Sequence, residues 1–178
     1  MTPPIPRRRR QAIPTRNRSP TVPERNVPRP GSPEKQLARF IAKFTPQIAS
    51  EVHAVLAKMR KHLPGAVELV YDNYNALAIG FGPTERTSDF IFSIAVFPRW
   101  VSLFFAHGVG LPDPENLLRG KGNQVRHIVL KSPETLDEPA IRDLLASALE
   151  RAKQQPDRTE RNRIVIKSVS LKQRPRRP

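Results

Sequence analysis

Four short apolar segments lie between residues 66 and 108, and the short links between them constrain the fold more than any other feature. The segments read AVELVYD, NALAIGFG, DFIFSIAVF and WVSLFFAHG, and they are rich in the β-branched and aromatic residues that favour strands. The links DNYN, GPTERTS and PR have turn-like compositions. Because successive strands with such short links pair antiparallel, the pattern predicts a four-stranded meander.

Helical patterns lie on both sides of this meander. Apolar residues recur at helical spacing from Leu37 to Leu63. The interruption FTPQ predicts two helices, because Thr45 can cap a new helix whose first turn accommodates Pro46. We expect the first helix to end near residue 44 and the second near residue 62. The segment TLDEPAIRDLLASALERAKQQ predicts a third helix.

The segments QVRHIVLK and RIVIKSV add a fifth strand and a candidate sixth. The fold class predicted is α+β, an antiparallel sheet of about five strands packed against N-terminal and C-terminal helices. We divide the chain into a Pro/Arg-rich tail predicted to be disordered (1–33), an α+β domain (34–154) and a basic C-terminal segment (155–178). The candidate sixth strand covers residues 163–169.

The formal net charge of +15 is concentrated in the two terminal segments. Residues 1–33 hold eight arginines and one glutamate, and residues 155–178 hold eight basic and two acidic residues. Arginine clusters can simply keep a chain in solution, or they can bind nucleic acid through its phosphates. The candidate nucleic-acid-binding residues are Arg7, Arg8, Arg9, Arg10, Arg174, Arg176 and Arg177.

The chain has no cysteine, which excludes disulfides, thiolate metal sites and a cysteine nucleophile. Its four histidines are scattered without metal-ligand spacing, so we predict no metal site and no cofactor. No apolar run approaches the roughly 18 residues of a membrane span, and the first residues lack the apolar core of a signal peptide. We therefore expect a cytoplasmic protein without membrane contact. Monomer and homodimer both remain open.

The stretch LLRGKGNQVRHIVL raises the question of a phosphate-binding loop. Nucleotide fingerprints place their glycines after a strand and before a helix. Here Gly120 and Gly122 precede a predicted strand, and no Lys-Ser or Lys-Thr pair follows them. The pattern predicts a turn in which glycine permits a positive φ.

Arg126 is a candidate binding residue, because the period-2 alternation of side chains along a strand places it on the same face as Ile128 and Leu130. An inward guanidinium is either satisfied by carboxylates and backbone carbonyls, or it binds an anion at the mouth of a pocket. The polar turn VYDNYN and Trp100 allow the same two interpretations, turn and core chemistry or a ligand cleft. The candidate ligand-binding residues are Tyr71, Asp72, Tyr74, Trp100 and Arg126.

Several contiguous motifs resemble the YdhG-like family, a family of unknown function, over about residues 35–154. They are VELVYDNYNALAIGFGPTER, FPRWVSLFF and LPDPENLLRGKGNQVRHIVL, followed by the acid-led last helix. The resemblance implies a small α+β domain, and for some members an iron-chaperone, frataxin-like role. The first helices here carry only Glu34 and Glu51 among several basic residues, a composition that speaks against a carboxylate surface for iron.

We interpret the chain as a small non-catalytic binding or carrier domain for a polar or anionic ligand. A nucleic-acid-associated protein and an iron-chaperone-like role are the alternatives. Catalysis is less favoured, because no Gly-x-Ser-x-Gly nucleophile motif occurs.

Overall fold

The computed structural model describes residues 31–178, and within this range it contains three α-helices and six strands. The helices are α1 (Pro33–Ile41), α2 (Pro46–His62) and α3 (Pro139–Arg151). The strands are β1 (Val67–Asp72), β2 (Leu77–Gly82), β3 (Phe92–Val96), β4 (Val101–Phe105), β5 (Arg126–Leu130) and β6 (Arg163–Val169). Of the tail predicted to be disordered (1–33), residues 1–30 lie outside the described range, whereas Ser32 caps α1 and Pro33 is the first residue of that helix.

The six strands form one sheet in the order β5-β4-β3-β2-β1-β6. Strands β1 to β4 pair antiparallel with their chain neighbours, as the short links predicted, and β5 pairs antiparallel with β4. Strand β6 pairs parallel with β1 and forms the far edge of the sheet. The predicted α+β class and the candidate sixth strand are both confirmed.

Helix boundaries follow the caps and prolines of the sequence. The Thr45 hydroxyl accepts a hydrogen bond from the backbone N–H of Ile48 at 3.3 Å, which starts α2 as predicted. The third helix begins at Pro139, four residues later than the predicted start of its segment at Thr135. Proline lacks an N–H and fits only the first helical turn, so residues 133–137 form a separate 3₁₀ helix.

The longest of the described helices, α2, has one apolar face and one charged face. Its buried residues include Val52, Val55 and Met59, while Lys61 stays exposed. The apolar face packs on the sheet, where it contacts β4. In the described part of the chain no helix combines the length and the apolar character needed to cross a membrane.

The helices cover one face of the sheet, and strand alternation decides which side chains lie beneath them. Leu77, Ile79 and Phe81 of β2 are fully buried on this face. Burial of each such side chain contributes roughly 1.5–3 kcal/mol to folding. The small residues Ala78 and Gly80 alternate with them and lie on the opposite face.

Strand β1 carries two buried carboxylates among its apolar residues. Glu68 is fully buried and accepts two hydrogen bonds from the Arg60 guanidinium of α2, at 2.7 and 2.8 Å. A bidentate pair of this kind fixes the position of α2 over the sheet. The second carboxylate, Asp72, belongs to the site described below.

The loop after β2 folds back along the sheet because Gly82 allows close approach. A Cβ atom added to Gly82 would lie 2.8 Å from the Asp89 carbonyl oxygen and 2.9 Å from the Cα of Phe90. The Tyr71 and Thr87 hydroxyls, 2.6 Å apart, tie the same loop to β1. Residues 83–91 are therefore held in one position.

We expect Gly82→Ala to destabilise the protein by about 1–3 kcal/mol, because the added methyl meets backbone that must move. Urea unfolding measures the effect. Gly122→Ala is the matched control, since an added Cβ there meets nothing within 4 Å. Equal stability of the two variants would contradict the close packing of the loop.

Candidate functional site

Asp72 lies buried at the end of β1, where two cations bind it. The Nζ atom of Lys43 lies 2.5 Å from Oδ2, and the Nη2 atom of Arg176 lies 2.9 Å from Oδ1. Lys43 lies between α1 and α2, while Arg176 lies near the end of the chain. The carboxylate therefore joins three distant segments, and it is not open to a ligand.

Residues 170–178, which we call the C-terminal strap, fold back over the end of β1. Backbone N–H groups of Ser170 and Arg174 donate to the carbonyls of Asp72 and Tyr74, each at 2.9 Å. The Arg177 guanidinium donates to the Phe44 carbonyl at 3.1 Å. The strap is thus an integral part of the domain.

The predicted nucleic-acid-binding arginines divide into three groups. Arg7, Arg8, Arg9 and Arg10 lie outside the described residues. Arg176 is buried and binds Asp72 inside the fold, so its guanidinium does not face solvent. Arg174 and Arg177 are exposed on the strap.

Arg126 lies on the helix-covered face of β5 with Ile128 and Leu130, as the alternation predicted. Its Nη1 atom donates to the carbonyl oxygens of Gly122 at 2.5 Å and Val125 at 2.8 Å. Residue Arg126 is partly buried, and its guanidinium donates to its own loop through Nη1. Of the two interpretations given above, the geometry matches the one with backbone carbonyl partners.

The structure does not bring the five predicted ligand-binding side chains into one cleft. Arg126 pairs with Phe105 in the row of residues at one end of the sheet, while Asp72 pairs with Leu77 in the row at the other end. Four strand spacings of about 4.8 Å and four residue rises of about 3.3 Å separate them by roughly 20 Å.

The three aromatic candidates also lie apart. Tyr74 and Trp100 are exposed in the turns that follow β1 and β3. Tyr71 lies on the face opposite the helices, where its hydroxyl contacts Thr87. Period-2 alternation puts neighbouring residues of VYD on opposite faces, which is why Tyr71 and Asp72 cannot share a pocket.

The glycine-containing stretch before β5 folds as a turn. Arg119 and His127 exchange backbone hydrogen bonds at 2.8 and 2.9 Å, and Gly120 has a φ of 119°. The backbone N–H groups of Leu117 and Leu118 donate to the Asp113 carboxylate, each at 2.8 Å. These donors are already occupied, so they form no cradle for a phosphate.

A cleft of about 340 Å³ opens at the end of the sheet opposite the strap. Its walls are the loop 83–91, the turn after β4 at His107 and the end of α3 at residues 148–154. We call it the basic cleft because Arg86, Arg151 and Lys153 line it. These groups come from parts of the chain that only the folded sheet brings together.

The cations of the basic cleft outnumber its carboxylates. Asp89 is the single acidic residue among the lining residues. None of the ion pairs formed within residues 31–178 involves Arg86, Arg151 or Lys153. The Arg151 guanidinium reaches over the turn after β4, where an added Cβ at Gly110 would lie 3.7 Å from Nη1. The cleft therefore favours negative charge.

Asp89 is held by its own loop. The Thr84 hydroxyl donates to it at 2.7 Å and the Ser88 hydroxyl at 2.8 Å. These two hydrogen bonds, with the charges of Arg86 and Lys153 as smaller causes, lower the pKa of Asp89 below its ordinary value. The carboxylate stays ionised at neutral pH and orders the loop that carries Arg86.

The same cleft has an apolar side. Ile91 and Ala148 are buried beneath it, and Pro83 and Phe90 line its rim. A cavity of this size with apolar walls and a few polar groups matches the usual form of a small-ligand site. The surface suits a ligand that is both anionic and partly apolar.

The lining residues described here do not form a nucleophile and base. The Nδ1 atom of His107 lies 2.8 Å from the Gln124 side-chain amide, which occupies that nitrogen. The Ser88 hydroxyl donates directly to Asp89, with no imidazole between them. A serine without a base in contact is a weak nucleophile.

Within residues 31–178 no group of three or more His, Asp and Glu side chains is placed to hold a metal ion. Glu34 and Glu51, the acidic residues of the first two helices, lie on different helices. Burial raises the pKa of Glu51 above its ordinary value.

Sequence reasoning missed the basic cleft because no local motif marks it. The link GPTERTS has a turn-like composition, and Arg151 and Lys153 lie in the segment that predicts the third helix. One signal was available: both cations follow the last buried positions of α3, where a helix C-terminus favours positive charge. Their meeting with Arg86 depends on the sheet.

Comparisons with known protein families, with curated proteins and with solved structures found no match for this chain. The resemblance to the YdhG-like family therefore stays a prediction from its motifs. The function proposed below is argued from the geometry of the described residues.

We expect Asp72→Asn to destabilise the protein by about 3 kcal/mol, because it leaves the buried Arg176 without its counter-charge. Urea unfolding measures the loss. Glu85→Gln is the matched control, since it removes an ion pair with Arg163 whose partners are both about half exposed, and such pairs contribute little. Wild-type stability of Asp72→Asn would refute the anchoring role of this carboxylate.

Proposed function

We propose that this domain binds a small anionic ligand with an apolar part in the basic cleft and releases it unchanged. The observation that carries the proposal is the excess of cations in a concave site. Arg86, Arg151 and Lys153 line a cavity of about 340 Å³ that holds a single carboxylate. Such a cavity concentrates anions and strengthens each charge-assisted hydrogen bond that they form.

The position of the cations supports binding of one compact group. Arg86 approaches from the loop after β2, while Arg151 and Lys153 approach from the end of α3. A phosphate or carboxylate placed between them meets donors from two sides. One carbonyl near the helix end, that of Leu149, accepts a hydrogen bond from the Gln155 side chain at 3.1 Å.

The apolar side of the cleft supports a ligand with a hydrophobic portion. Phe90 and Ile91 come from the same loop as Arg86, so the loop offers apolar and charged contacts together. Burial of a ring or short chain there adds roughly 25 cal/mol per Å² of apolar area. An inorganic anion contacts the cations of the basic cleft but leaves its apolar side unused.

The chemistry of the lining residues supports binding and release of an unchanged ligand more than it supports catalysis. His107 and Asp89 are engaged by Gln124, Thr84 and Ser88 within the fold. Catalytic acid–base groups need access to a substrate proton. Arg86, Arg151 and Lys153 can hold an anion without altering it.

We expect phenyl phosphate to bind the full chain with saturable heat in titration calorimetry. Phenol carries only the apolar part and orthophosphate only the charge, so both should bind more weakly. Arg151→Ala should weaken phenyl phosphate binding about tenfold, the loss expected for one hydrogen bond to a charged group. Arg142→Ala should leave it unchanged, since Arg142 is exposed near the start of the same helix.

Two results would count against the proposal. One is the absence of saturable heat with phenyl phosphate. The other is an equal affinity of the Arg151→Ala and Arg142→Ala variants, which would show that general charge attraction and not the basic cleft binds the anion.

A further inference from the structure

Two exposed aromatic rings lie at the end of the sheet opposite the basic cleft. Tyr74 is 48% exposed in the turn between β1 and β2, and Trp100 is 43% exposed in the turn between β3 and β4. Both turns follow the row of residues that contains Asp72. Because the two hairpins are neighbours, the turns are about 10 Å apart.

The side chain of Trp100 is held in place by contacts within its own turn. Its ring stacks on Phe97 with a centroid separation of 4.9 Å and an interplanar angle of 23°. The Phe97 N–H donates to the Trp100 carbonyl at 2.9 Å and closes the turn around Pro98. A ring fixed in this way loses little conformational entropy when another ring stacks on it.

Tyr74 is paired with a cation of the C-terminal strap. The Arg174 guanidinium lies over the Tyr74 ring at 5.5 Å, and the Arg174 N–H donates to the Tyr74 carbonyl at 2.9 Å. The strap thereby places a positive charge directly beside an exposed aromatic group. This arrangement needs the ion pair between Arg176 and Asp72, which holds the strap in place.

The two turns and the C-terminal strap at this end carry only basic charges. The two turns (73–76 and 97–100) and the C-terminal strap contain no acidic residue. Arg99, Lys172 and Arg174 are exposed there. Beneath them, Asp72 is already bound by two cations, so it does not offset the surface charge.

We infer that this surface, which we call the aromatic end, binds single-stranded nucleic acid. Its members are Tyr74, Arg99, Trp100, Lys172 and Arg174. Bases of a single strand stack on exposed aromatic rings, while arginine and lysine bind the intervening phosphates. In a duplex the base faces are stacked on one another and do not reach such rings. The inference is independent of the basic cleft, from which no residue is used.

Trp100 is the single tryptophan of the chain, so its fluorescence reports this surface directly. We expect an oligo(dT) of about 12 nucleotides, a length typical of such sites, to quench the emission of the full chain saturably. Inorganic polyphosphate supplies the charge without bases and should not reproduce the quenching. Vesicles of phosphatidylserine and phosphatidylcholine test whether the surface instead binds an anionic membrane.

The fluorescence anisotropy of a labelled oligo(dT), measured with variants of the protein, shows which residues bind it. Tyr74→Ala and Trp100→Ala should each weaken binding about fivefold or more, as expected for the loss of one stacked base. Trp100→Phe keeps a ring and should restore most of the affinity. Arg174→Ala should bind less tightly than Arg119→Ala, its charge-matched control at the other end of the sheet.

Three results would overturn the inference. Wild-type affinity of both aromatic variants would show that phosphate contacts elsewhere, such as the arginines of residues 1–30, bind the strand. Equal quenching by polyphosphate would show that charge alone is recognised. A response of Trp100 to anionic vesicles and none to oligo(dT) would assign the surface to a membrane.

Discussion

The fold depends on a buried carboxylate that cannot remain unpaired. Asp72 lies at the end of β1 under the helices, and an uncompensated charge there would cost several kcal/mol. Lys43 and Arg176 supply the compensation from two distant parts of the chain. As a result, the junction of α1 and α2, the end of β1 and the C-terminal strap form one unit. The C-terminal strap, whose composition predicts a basic tail, is therefore part of the folded domain.

The two surfaces proposed here lie at opposite ends of the same sheet. The basic cleft uses the loop after β2 and the turn after β4, whereas the aromatic end uses the tight turns after β1 and β3. An antiparallel meander places alternate connections at opposite ends, so each end can carry a different function on a rigid frame. Both surfaces carry basic residues, but the first is a concave cleft with an apolar side. The second carries two exposed aromatic rings, Tyr74 and Trp100.

Local patterns predicted much of the fold. The short links predicted the meander, and Thr45 and Pro46 predicted the start of α2. Period-2 alternation predicted that Arg126 lies on the same face as Ile128 and Leu130. The partners of these residues could not be predicted in the same way. Arg126 binds carbonyls of its own loop, while Asp72 binds residues about 30 and 100 positions away. Periodicity shows which face a side chain occupies, but it carries no information about distant segments that meet that face. The basic cleft was missed for this reason, since its cations come from two separate elements.

A titration of the ¹⁵N-labelled full chain with phenyl phosphate, followed by NMR, shows whether an anionic ligand occupies the basic cleft. We expect saturable shifts of backbone signals confined to residues 83–91, His107 and residues 148–154. Signals of the C-terminal strap should stay in place. Saturable shifts centred on Tyr74 and Arg174, or shifts spread evenly over all basic residues, would contradict binding in the basic cleft.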